Sequence, residues 1–239
     1  MPNSQSQDER DDVKRTIVGH WGSQAEVYER SPWRGQHEDE AYRHAWRELL
    51  VQLTGEARLK ILDVGCGPGH LTAQLAELGH TVTGVDMAPE MLALARQRME
   101  RAGLRVTLRL GDAERLDDEP DGAYDLVVER HVLWTLPNPA SAVAAWQRVL
   151  RPGGRAALFE GCWEVHVGQS RYDDELRQAI PFRDGFQREQ LVAFLEEHGL
   201  RDIEAYDLDV ARLWPGVDEL PRFLVVGRCG RGDDRARGA

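Results

Sequence analysis

Lysine is almost missing from this chain of 239 residues: Lys14 and Lys60 are its lysines, and arginine carries the rest of the positive charge. Those arginines are interleaved with Asp and Glu, and the formal net charge is −11. A nucleic-acid backbone demands a concentrated basic surface, so DNA and RNA are not expected as partners. Cysteine is equally sparse. Cys66, Cys162 and Cys229 are widely spaced and odd in number, which supplies neither a zinc site nor a disulfide framework, and reduced thiols are expected. No apolar run approaches the ~18 residues of a membrane span, and the polar, acidic N-terminus does not read as a secretory signal. No membrane partner and a cytoplasmic location follow as expectations. His20, His44 and His70 have no carboxylate or thiol partner at metal-ligand spacing, so no metal is expected.

What the chain does contain is an ordered alternation. Apolar strand patterns at Lys60 to Val64, Thr81 to Val85, Arg105 to Leu110, Tyr124 to Val128 and Arg155 to Glu160 alternate with helical ones at Leu71 to Leu78, Pro89 to Arg101 and Ala140 to Val149. That order predicts an α/β domain whose mostly parallel sheet has right-handed crossovers and helices on both faces. Two amphipathic segments precede it, one with Ile17, Trp21, Ala25 and Tyr28 on one face and one from Glu38 to Leu53. The domain is expected over 13–227, with 13–56 as a helical lid over the ligand opening and 161–187 as an irregular, aromatic segment on the acceptor side. After a helix from Arg188 to Glu197, candidate strands Ile203 to Leu208 and Arg222 to Val226 end the domain. Residues 1–12 are expected to be disordered and 228–239 to be a loose tail.

The alternation is organised around Ile61-Leu-Asp63-Val-Gly65-Cys66-Gly67-Pro-Gly69-His70. A strand feeding glycines and then a helix brings backbone N–H groups close to a ligand. Three glycines at alternate positions do not fit the dinucleotide fingerprint, whose third glycine would fall where His70 stands, and this argues against NAD. Asp63 beside the loop suits a ligand with an ammonium and a sulfonium better than a pyrophosphate. Ligands in such a sheet sit at the carboxyl ends of the strands. Asp63, Asp86, Asp112 and Glu129 all fall there.

Asp63-Val-Gly-Cys-Gly-Pro-Gly69 resembles motif I of the class I S-adenosylmethionine (SAM)-dependent methyltransferases. Further stretches match in order: Thr81-Val-Thr-Gly-Val-Asp86-Met87, Gly111-Asp112-Ala113-Glu114, Tyr124-Asp-Leu-Val-Val-Glu129 and Leu150-Arg-Pro-Gly-Gly154. The similarity covers roughly Lys60 to Glu160 and is greatest to the small-molecule, quinone-methylating branch. It implies a Rossmann-like seven-stranded sheet closed by an antiparallel pair, SAM as cofactor, S-adenosylhomocysteine as product and a small-molecule acceptor. It also implies a cradle at Gly65, Cys66 and Gly67, Asp86 on the ribose hydroxyls, Asp112 on the adenine amino group and the Ala113 backbone on the ring.

Several side chains have two readings at this point. Met87 and Met91 either pack on ribose or adenine or belong to the core. Tyr28 resembles the lid tyrosine that closes over the methionine portion, and it also reads as a core residue. Arg34 is either a guanidinium for a carboxylate or an ordinary surface residue, and Trp134 reads as core. Glu129 faces either cofactor or an amine acceptor. Methyl transfer needs the acceptor aligned and its proton removed, and histidine has the right basicity for that. His131 and His166 are the candidate bases, against the plainer reading of each as a structural ring. The aromatic 161–187 segment favours an acceptor with an apolar or ring portion, methylated on nitrogen or oxygen, with carbon a third option. The rival readings are a SAM-binding module without catalysis and a protein methyltransferase.

Overall fold

In the computed structural model, residues 7–30, 40–162, 174–215 and 220–230 are described. Helix α1 (Gln7–Arg30) and α2 (Glu40–Thr54) lead into β1 (Lys60–Val64), α3 (His70–Glu77), β2 (Thr81–Asp86), α4 (Pro89–Ala102) and β3 (Thr107–Leu110). Then come β4 (Tyr124–Arg130), a 3₁₀ turn (Leu133–Thr135), α5 (Pro139–Val149) and β5 (Leu150–Gly161). The described remainder holds α6 (Asp174–Ala179), α7 (Arg188–Glu197), β6 (Arg201–Asp207), α8 (Val210–Leu213) and β7 (Arg222–Arg228). The strands form one seven-stranded sheet in the order β3-β2-β1-β4-β5-β7-β6. β1 to β5 pair in parallel, and β7 runs antiparallel to both β5 and β6.

Both faces of the sheet are covered, which is why its central strands read as continuous apolar runs. On one face Val64, Val127 and Leu158 pack with Trp146 of α5 and Leu191 and Leu195 of α7. On the other, Ile61, Leu126, Val128 and Phe159 pack with Leu71 and Leu75 of α3 and with Tyr42, Trp46 and Leu50 of α2. Trp46 is wholly buried, and its indole N–H donates to Leu213 O at 3.0 Å.

Three local expectations change. α2 packs its buried stripe into the second core layer instead of lying loose over the opening as a lid, because Trp46 stacks against Phe159 and Trp214. α1 starts at Gln7, inside the stretch expected to be disordered, since the helix is anchored by Val13, Lys14 and Ile17 on the body of the domain. The Pro-Gly-Gly turn lies within β5: the register jumps from Tyr124↔Leu150 to Leu126↔Arg155, so residues 151–154 bulge. No helix among the described residues is long and apolar enough to cross a membrane.

Candidate active site

The strand order reverses between β1 and β4, which lie side by side with Val64 opposite Glu129. Their following loops diverge there and open a crevice. Gly65 makes the first turn with φ of +63°, where a side chain is strained, and a Cβ at that position would lie 2.4 Å from Val132 Cγ2. Only glycine lets the two loops meet. Gly67 N–H donates to Asp86 Oδ2 at 2.8 Å, and Ala88 N–H donates to Asp86 Oδ1 at 2.8 Å, so the acid at the end of β2 is locked to the loop of β1. Burial pushes the Asp86 carboxyl up, opposed by the N–H groups of Ala88, Gly67 and Met87. The cleft holds about 660 Å³ including its open mouth.

The structure gathers some of the expected residues and separates others. Gly65, Gly67, Asp86, Met87, Met91 and His131 line the cleft together. Met91 has both of the roles weighed for it, since it also packs with Ala25 and Ala88. Asp63, Cys66, Asp112, Ala113 and Glu129 are not on that wall. Asp63 is turned inward, where Thr72 Oγ1 donates to it at 2.5 Å and burial pushes its carboxyl up to about 7, opposed by Thr72 and Arg130. Cys66 is buried against Gly84, and its N–H is used by Val85 O. Ala113 O accepts from the Trp146 indole at 2.9 Å. Trp134 is core. Tyr28 lies on α1, but its side chain falls outside the described residues, as do Arg34, Trp163, His166 and Tyr172.

His131 stands at the turn out of β4 with φ of +63°, a strained conformation that for a non-glycine residue points to a special role. Its ring packs 5.8 Å from that of Trp214, and its Nδ1 lies 4.0 Å from Glu160 Oε2. Glu129, two residues earlier on the strand, is buried. Burial pushes the Glu129 carboxyl up to about 8, although Val132 N–H donates to its Oε2 at 2.8 Å. Arg130 has the opposite parity on the strand. Its guanidinium sits 5.1 Å over the Trp46 ring at the cleft and has no hydrogen-bond partner among the described residues.

α1 crosses this opening, supplying Ile17, Val18 and Trp21 to the cleft wall. It is tied down towards both ends. Lys14 Nζ reaches Asp112 Oδ2 at 2.7 Å and Glu114 Oε2 at 2.6 Å, so the acid expected to meet adenine is engaged by α1. At the other end Glu29 meets His70 Nε2 at 3.0 Å and Arg98, whose Nε–H donates to Pro68 O in the glycine loop.

Residues 62–158 match the methyltransferase domain family. The chain is 35% identical over 128 residues to the ubiquinone biosynthesis O-methyltransferase of Pseudomonas aeruginosa (strain LESB58), covering 54% of each chain. It is 39% identical over 115 residues to the enzyme of the same name from Methylococcus capsulatus, covering 46% of this chain and 48% of that one. These similarities support a class I SAM-dependent methyltransferase domain. The matched part spans only about half the length of these curated relatives. Among solved structures, Burkholderia thailandensis 1,6-didemethyltoxoflavin-N1-methyltransferase aligns over 96% of this chain and 93% of its own, with a TM-score of 0.66 and 20% identity. The [4+2]-cyclase SpnF aligns over 78% and 80% with a TM-score of 0.62 and 21% identity. At such identities the chain shares a fold with these structures, and the presence of a cyclase among them shows why the site must carry the functional argument.

Lys14, Arg130 and Glu160 were not singled out by sequence reasoning as site residues. Glu160 had a readable signal: Leu158 pairs with Glu129, so Glu160, two residues on, shares its face of the sheet. Lys14 had none, because its partners lie far along the chain. Among the described residues no cluster of His, Cys, Asp and Glu is arranged to hold a metal ion.

Proposed function

We propose that this protein is a SAM-dependent methyltransferase, which transfers the methyl group by direct displacement to a small-molecule acceptor with an apolar or ring portion, at oxygen or nitrogen. The observation that carries the reading is a single cleft in which Asp86 and the glycine loop stand together with His131. The residues fit the cofactor: Gly65 leaves a cradle that a Cβ would fill, Asp86 keeps lone pairs for vicinal hydroxyls, and Arg130 offers a guanidinium to a carboxylate. When bound, SAM supplies the methyl group together with its own leaving group.

The protein's own work is then alignment and proton removal. His131 would take the acceptor's proton, and Ile17, Val18, Trp21 and Leu136 would exclude water from an apolar acceptor. The O-methyltransferase relatives favour oxygen over nitrogen. Calorimetric titration with S-adenosylhomocysteine tests the cofactor half of the reading. The expected result is micromolar affinity, about −8 kcal/mol, weakened at least about tenfold in Asp86→Asn through loss of a charge-assisted bond. Folded protein that does not bind refutes it. Methyl release with a panel of ring hydroxyls and amines tests the acceptor half, and binding without turnover on any of them would favour a SAM-binding module.

A further inference from the structure

Glu160 stands near the end of β5 with its carboxyl wholly buried. Trp134 N–H donates to its Oε1 at 3.4 Å, while Oε2 has no donor among the described residues and faces His131 Nδ1 at 4.0 Å. Glu129, on the same face of the neighbouring strand, has one oxygen on Val132 N–H and its Oε1 likewise without a donor. Two carboxylates this close in the interior cannot both be charged, and a single proton held between them turns a repulsive pair into a donor and an acceptor. Burial pushes both carboxyls up; the Glu129 charge adds to it at Glu160, well above the usual range, whereas at Glu129 the Asp63 charge adds to it and a hydrogen bond with Glu160 opposes it.

We propose that Glu160 is a positioning residue for His131: the Glu129–Glu160 pair, once it has given up one of its two protons, carries one negative charge behind the ring, draws Nδ1–H inward and turns Nε2 towards the cleft. The inference rests on the reading of His131 as the proton acceptor. A carboxylate that orients an imidazole in this way fixes its tautomer and stabilises the imidazolium that forms. Among the described residues Arg130 precedes it on β4, and Arg222 on β7 places its guanidinium 4.7 Å from the Trp214 ring that His131 packs against.

The test is nitrogen-15 NMR of histidine-labelled full-length protein with S-adenosylhomocysteine bound, the His131 signals being assigned by their loss in His131→Gln. Neutral His131 is expected as the Nδ1–H tautomer. In Glu160→Gln, whose amide oxygen still accepts from Trp134 N–H, the ring's titration midpoint should fall by about one pH unit. In Glu129→Gln the new amide can donate to Glu160 and leave it charged, so the midpoint should hold or rise. An unchanged midpoint in Glu160→Gln overturns the proposal, as does a fall in Glu129→Gln, which also serves if Glu160→Gln does not fold. Failure of the base reading is visible separately: His131→Gln would then retain turnover while the Glu160 effect on the ring persists.

Discussion

Replacing Lys14 by methionine removes the ammonium that ties α1 to the turn after β3 and keeps most of the side chain's apolar volume. Breaking a buried ion pair by removing one partner costs ~3–5 kcal/mol. Asp112 is 19% exposed and keeps the Glu114 N–H, so its share is small. Glu114 is 3% exposed and keeps only the Asn138 N–H, at 2.6 Å, against a full charge. A loss of about 2–3 kcal/mol is therefore expected near neutral pH. Its pH dependence has a definite sign. Burial already raises the Glu114 carboxyl above its ordinary value, with Lys14 and the Asn138 N–H opposing. A raised carboxyl destabilises the fold above that value, and the penalty disappears as pH falls towards the unfolded value. Without Lys14 the shift grows, so the deficit of the variant should be largest near pH ~7.5 and shrink towards pH ~5. Burial works to lower the Lys14 pKa, but hydrogen bonds and charges from Asp112 and Glu114 outweigh it and raise it above 10.5. The parent therefore keeps the lysine's contribution throughout this window and loses it only at high pH. Urea unfolding of both proteins at the two pH values reads the difference directly. A deficit under ~1 kcal/mol at neutrality, or one that does not change with pH, would refute the reasoning.

Two further substitutions address the cleft itself. Gly65→Ala should destabilise by ~2–5 kcal/mol, from left-handed strain of ~1–2 and overpacking against Val132 of ~1–3. Val132→Ala in the same chain should restore the overpacking part, and no recovery in denaturant midpoint would sink the contact. Arg130→Gln should weaken S-adenosylhomocysteine about tenfold and leave 5′-methylthioadenosine, which lacks the carboxylate, unaffected. Equal losses for the two ligands would assign Arg130 to the fold instead.

The alternation of strands and helices was legible because each central strand is buried on both faces, so its sequence is a bare apolar run with turn residues at the ends. That placed Asp63, Asp86 and Glu129 on one rim correctly. It did not decide which way they point. Asp86 ends its strand with both oxygens held at the cleft by the N–H groups of Gly67 and Ala88, whereas Asp63 still lies within β1 and turns to Thr72 on α3. The first is a property of a loop's N–H geometry and the second of helix packing, and neither is written in local spacing. Lys14 was illegible for a related reason. Its helix reads as solvated at that turn, and only the tertiary approach of residues nearly a hundred positions away makes it a buried charge.

The same distinction explains the strained turn at His131. Gly65 and Val132 meet because the first loop has no Cβ, and Val132 is held by the Glu129 carboxylate accepting its N–H. The ring of His131 is thus fixed between a loop that shapes the cofactor end of the cleft and a carboxyl pair that lies beneath it. A shift in either would move the ring, so the glycine loop and His131 are mechanically one unit, whatever part each has in the proposed reaction. This predicts that Gly65→Ala, though remote from any proton, disturbs the same His131 NMR signals that report on Glu160.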